Sequence, residues 1–150
     1  MNIPEVLVAN CTGATIAIFV FLLRVRNSET KQLGAWLYDG ILAAVLAAQV
    51  TETISFLIDG QMFPGARALQ YFTNTVCSGA SVFVGFAWCL FVDFRLYRST
   101  RRLRKMFFRL GIPFLIVLLL LVVNLFGTGL LFRISDENVY SRGSLNFLFY

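Results

Sequence analysis

Histidine is absent from the chain, and only eight residues are acidic. Without histidine no Ser/His/Asp triad can form, and no metal-ligand cluster or phosphate-cradling glycine loop is visible. An enzyme active site, a metal and a cofactor are therefore not expected within these residues. Cysteine is scarce as well. Cys11, Cys77 and Cys89 all fall in apolar runs, which argues against a paired disulfide framework. Charged residues make up only 14% of the chain, and no linker, repeat or low-complexity tract divides it.

What is present in quantity is apolar. The composition is 58% hydrophobic and the mean hydropathy is +0.75, well above a soluble domain. Its 150 residues leave room for about four or five helical spans and little else. The expected fold is an all-α polytopic membrane helix bundle, with four full spans and the start of a fifth. The spans fall at about 6–25, 33–58, 68–94 and 107–132, with a fifth starting near 144. That last run stops too soon to cross ~30 Å of hydrocarbon, so the sequence reads as a fragment of a longer membrane protein.

Positive charge gathers in one stretch. Arg95, Arg98, Arg101, Arg102, Arg104 and Lys105 lie between two long apolar runs. Bilayer insertion retains such a cluster on the cytoplasmic side, where anionic headgroups attract each cation by roughly 1 kcal/mol. Basic runs also occur in nucleic-acid binders, but flanks of this length and hydropathy exclude that partner here. Alternation then puts Arg24, Arg26, Lys31 and Arg109 on the same side as the cluster. Arg67, Arg133 and Arg142 fall on the other. The expected topology is a multi-pass cell-membrane protein with its N-terminus outside.

The first span carries Glu5 before it and cations after it, the pattern of an N-outside anchor rather than a cleaved signal peptide. Ala9, Gly13 and Ala17 repeat every fourth residue, as do Gly40, Ala44 and Ala48 in the second span. Such small-residue stripes let helix backbones approach closely in lipid. The third span has a polar stripe, Asn74, Ser78, Ser81 and Gly85, at helical spacing.

Sorted by depth, Asn10, Gln49, Glu52, Asn74 and Asn124 all fall roughly 6–14 Å below the outer surface. Four spans thus place a polar group in one layer. Glu52 is the sharpest member, because a carboxylate within a span usually faces a protein interior or a water-filled cavity. These residues are the candidate site for a small ligand or a proton. Their alternative role is interhelical hydrogen bonding, worth about 0.6 kcal/mol each. The outer segment with Tyr140 and Arg142 is expected to cap the layer.

The second half of the chain, about Ala66 to Tyr150, resembles the multi-pass N-terminal sensor region of bacterial GGDEF-type diguanylate cyclases. It is also similar in layout to the seven-span sensor regions of histidine kinases. The pieces that carry the resemblance are the helix end from Trp88 to Arg95 followed by the basic cluster, the Ile112-Pro113 entry, and Asn138-Val139-Tyr140-Ser141-Arg142-Gly143. The resemblance implies a cytoplasmic output domain beyond Tyr150 and a homodimer formed through it. It carries over no cyclase residue. The expected function is an input module that relays an external or membrane stimulus to that domain. The rival readings are a fragment of a transporter or proton-coupled carrier, in which intramembrane carboxylates are also found, and a structural membrane subunit.

Overall fold

The computed structural model describes residues 3–26 and 33–146. Hydrocarbon offers backbone groups no hydrogen-bond partner, so apolar runs of this length must satisfy them internally as helix. Four helices result: α1 (Ile3–Arg26), α2 (Leu33–Ile58), α3 (Ala66–Tyr97) and α4 (Thr100–Val123). All four are long and apolar enough to cross a membrane, and the chain is a multi-pass membrane protein built as an all-α bundle. The connection expected between the first two spans, and any fifth span beyond residue 146, lie outside the described residues.

The basic stretch differs from the loop that its composition predicts. Arg95 closes the last turn of α3, and Arg101, Arg102, Arg104 and Lys105 belong to the first turns of α4. Only Arg98 and Ser99 leave the helix. Arg98 adopts the left-handed conformation (φ 46°) and its N–H donates to the Phe94 carbonyl at 2.9 Å. Ser99 then caps α4, its hydroxyl accepting from the Arg102 N–H at 3.3 Å. A side-chain cap right behind a left-handed stop lets two residues suffice between one helix and the next, so α4 starts well before the apolar run.

The helices pack in chain order through three seams, α1·α2, α2·α3 and α3·α4, of which α2·α3 is the most extensive. Close approach is set by small residues: a Cβ on Gly34 would sit 3.2 Å from the Phe94 ring. Aromatic pairs fill the wider α3·α4 seam, where Phe86 stacks on Phe114 with centroids 4.6 Å apart. The outward faces are apolar. Phe19, Leu22, Leu115, Ile116 and Leu119 are all more than half exposed within the bundle, as a lipid-facing surface requires. Trp36 and Trp88 are exposed too, both toward the basic end, where indole prefers the headgroup level.

At the opposite end α4 does not simply stop. A π-helical turn (Asn124–Thr128) leads through Gly127 and Gly129, with φ of 80° and 66°, values that glycine alone adopts without strain. Two short strands follow, β1 (Phe132–Ile134) and β2 (Tyr140–Arg142), paired antiparallel with Arg133 opposite Ser141. The segment expected as an irregular outer loop is therefore a hairpin. It folds back over the helix ends, and its inner residues Leu131, Phe132 and Ile134 form the best-buried cluster of the protein together with Leu121.

Candidate functional site

The hairpin is fastened to three helices by named contacts. At its tip Asn138 is left-handed (φ 58°) and almost fully buried. Its Nδ2 donates to the carbonyls of Ile58 (2.8 Å) and Gln61 (3.1 Å), while its own carbonyl accepts from the Gly60 N–H at 2.9 Å. These bonds satisfy the end of α2 and the turn after it. Arg67, at the start of α3, donates to Asp136 Oδ1 (2.8 Å) and the Ile134 carbonyl (3.3 Å). Just past the end of α4, Asn124 is fully buried and acts as a bracket. Its Nδ2 donates to the Phe132 carbonyl and its Oδ1 accepts from the Leu131 N–H, both at 3.0 Å.

Under this hairpin, between α2 and α3, lies a cavity of about 370 Å³. Its floor is Glu52, Asn74, Cys77, Ser78 and Ser81. Its rim is Ser55, Asp59 and Gln70, and its roof is Tyr140, Arg142 and Asn146. Helical periodicity assembles the wall on α3, because Gln70, Asn74, Ser78 and Ser81 recur at steps of four and three. Asp59 ties rim to roof: its Oδ1 accepts from Gln70 Nε2 (3.3 Å) and from the Tyr140 N–H (2.8 Å).

The hydrogen-bond accounts of this cavity do not balance within the protein. Asn74 spends both amide hydrogens, on Ser55 Oγ and the Gln70 carbonyl (2.8 Å each), and its Oδ1 receives no donor from the described residues. Gln70 is fully buried, yet its Oε1 has no partner among the described residues. Glu52 has no hydrogen bond or ion pair among the described residues. The helix walls thus present acceptors and two carboxylates, Glu52 and Asp59, while the cation of the described lining is Arg142 in the roof.

The five residues of the expected polar layer separate into three places. Glu52 and Asn74 meet in the cavity. Asn10 donates to Thr53 Oγ1 across the α1·α2 seam at 3.2 Å. Gln49 lies in the same seam, packed so closely on Gly13 that a Cβ there would collide with its amide; its Oε1 is buried without a partner. Asn124 belongs to the hairpin bracket and does not line the cavity. Tyr140 and Arg142 stand over the cavity, the position expected of a cap. Gln70 and Asp59 were not singled out by depth. The signal for Gln70 was its place one turn before Asn74 on the polar stripe; Asp59 gave none, because an acid after a helix end reads as an ordinary turn residue.

At the far end of the bundle the cations divide between partners and surface. Asp93, 7% exposed, accepts from Arg102 Nε at 2.8 Å, and the guanidinium lies 3.5 Å from the centre of the Tyr97 ring. Arg24 pairs with Asp39 at 3.0 Å and lies over Tyr38. Arg101, Lys105 and Arg109 line an open polar surface beside Ser99. No family model, no curated protein and no solved structure matches this chain. Its class is therefore defined by the fold and the site alone, as a multi-pass membrane bundle that encloses a polar cavity beneath a docked hairpin.

Proposed function

We propose that this chain is the membrane input module of a signal-transduction protein, in which the cavity beneath the hairpin faces the outside and the basic end faces the cytoplasm. The observation that carries this reading is the cavity itself. A carboxylate, an amide and hydroxyls are held about 9 Å below the end of α2, in a bundle whose other faces are apolar. Intramembrane acids that line a cavity mark a ligand or ion path. The concentration of guanidinium groups at the opposite end supports the orientation. An output domain on the cytoplasmic side that works as a homodimer is what the resemblance of residues 66–150 to the sensor regions of diguanylate cyclases implies, and it is proposed on that ground alone.

The energy of such a switch is the difference in ligand affinity between two helix arrangements. The α2·α3 seam is where that difference would act, since the cavity is cut into it. A carrier would use the same carboxylate, but there the binding helices are expected to be broken at the site; α2 and α3 are continuous past Glu52 and Asn74, which favours the sensor. The test is the output of the parent protein in membrane vesicles, read as cyclic diguanylate synthesis. Glu52→Gln and Asn74→Leu are expected to shift basal or stimulated output several-fold, and the lipid-facing Leu119→Ala to leave it unchanged. Equal output from all three variants and the parent, under every stimulus, would reduce the cavity to a packing feature.

A further inference from the structure

We infer that the cavity under the hairpin binds a small organic cation carrying a primary ammonium, with Glu52 as its counter-ion and Gln70 Oε1 and Asn74 Oδ1 as further acceptors. The inference rests on the reading of the cavity as a ligand site and goes on to name the ligand's chemistry. Three acceptors in its lining receive no hydrogen bond from the described residues: the Glu52 carboxylate, Asn74 Oδ1 and, of these the one that is a buried unsatisfied atom, Gln70 Oε1. A buried acceptor without a donor is costly, as at Gln70 Oε1, and a carboxylate within a span calls for a partner, which the described residues do not supply to Glu52. An ammonium offers three N–H donors and one positive charge. It therefore answers both deficits; among the described residues of the lining Arg142 stands against Glu52 and Asp59, so a carboxylate or phosphate would enter a site whose formal charge is already net negative.

Geometry restricts the class further. Gln70 and Asn74 are one turn apart on α3, and Glu52 stands on the facing helix, so the acceptors converge from two sides as a compact donor group requires. The cavity volume of about 370 Å³ lies at the small end of ligand sites, which fits an amine of a few carbon atoms. A quaternary ammonium has the charge without the donors, and the site holds no aromatic cage in place of them: Phe56 and Tyr140 are the aromatic residues lining it.

The experiment titrates the whole protein in lipid nanodiscs with n-butylammonium and 1,4-diaminobutane, reading heat of binding and thermal midpoint. Butyrate, n-butanol, tetramethylammonium and sodium are run beside them. Saturable binding of the two amines is expected, with none by butyrate or butanol and clearly weaker binding by tetramethylammonium. Glu52→Gln should weaken the amines by roughly tenfold or more, the loss of one charge-assisted hydrogen bond. Glu52→Asp retains the charge and should weaken them less, which separates loss of the counter-ion from loss of fold. Binding that survives Glu52→Gln unchanged, or equal response to butanol or sodium, would overturn the assignment. Amine binding that depends on Glu52 without any change in output would uphold it and refute the signalling role. Output that depends on Glu52 with no amine binding would do the reverse.

Discussion

Replacing Asn138 by alanine removes the tip bond that fastens the hairpin to α2, and its effect can be worked out atom by atom. Two hydrogen bonds go, to the carbonyls of Ile58 and Gln61. The Ile58 carbonyl keeps the Gln61 N–H at 3.0 Å, so only the Gln61 carbonyl loses its partner outright. At a net 0.5–1.5 kcal/mol for an ordinary hydrogen bond, this part comes to about 1–2 kcal/mol. Alanine must also hold φ at 58°, which costs a further 1–2 kcal/mol or so. The sum is about 2–4 kcal/mol on the docking equilibrium. Glycine at the same position loses the bonds but not the backbone freedom, so Asn138→Gly should recover roughly the second part. The assay is amide hydrogen exchange in detergent micelles, read at the Gly60 and Tyr140 N–H groups, which donate to Asn138 O and Asp59 Oδ1. Faster exchange by roughly 30- to 700-fold is expected for alanine, with glycine in between. Unchanged exchange at both amides would show that the hairpin is held by other contacts and that the reasoning from Asn138 fails.

Asn124→Ala strips donors and acceptors from the buried Leu131 N–H and Phe132 carbonyl, and should destabilise the fold by about 2–5 kcal/mol, measured as a lowered unfolding midpoint. Asn124→Asp keeps the bond to the Leu131 N–H but sets a buried carboxylate oxygen against the Phe132 carbonyl oxygen, two acceptors facing each other, and should be no more stable than the alanine variant. Gly143→Ala would press a Cβ into the carbonyls of Leu130 and Gly129, rigid backbone on both sides, so limited proteolysis should cut the 135–139 turn faster than in the parent. Topology is checked by cysteine labelling in a background free of Cys11, Cys77 and Cys89. A membrane-impermeant maleimide on intact cells should modify Glu137→Cys readily and Ser99→Cys only after permeabilisation; the converse result would reverse the orientation.

The helices were legible because their cause is one-dimensional. A run of apolar residues long enough to cross lipid has no choice but helix, and the bounds of α2 agree with its hydropathy run, Leu33 to Ile58. The start of α4 was less legible, since capping by Ser99 and the left-handed turn at Arg98 extend the helix into the charged stretch, and hydropathy is blind to caps. The cavity was legible in half. Depth along a span places Glu52 and Asn74 on one level, but depth says nothing of azimuth. It is the rotation of each helix about its axis that sends Asn10 and Gln49 into the α1·α2 seam and leaves Glu52 facing α3. The hairpin was not legible as structure. Its strands are three residues each, too short for an alternation signal, and they are fixed by tertiary contacts through Asn124, Asn138 and Asp59 rather than by their own pattern.

That same dependence gives the hairpin its place in the proposed function. A free two-stranded ribbon is marginal in water, so this one persists only while α2, α3 and α4 keep the spacing that its contacts require. Asn138 measures the end of α2, Arg67 the start of α3 and Asn124 the end of α4. The roof residues Tyr140 and Arg142 belong to the strand that Asp59 anchors. A ligand drawn into the cavity touches walls on two helices and a roof that is bonded to a third. Under the proposed function its binding energy would be delivered to the relative position of three helices at once, and the shift would be carried across about 30 Å of membrane by helices that are rigid on that scale. A lock of this kind predicts a specific coupling. Loosening the roof by Asn138→Ala should weaken amine binding and flatten the output response together, whereas Glu52→Gln should weaken the first while leaving hairpin exchange at the Gly60 amide unchanged. If Asn138→Ala altered exchange alone, the hairpin would be a lid without leverage, and the α2·α3 seam would have to carry the signal by itself.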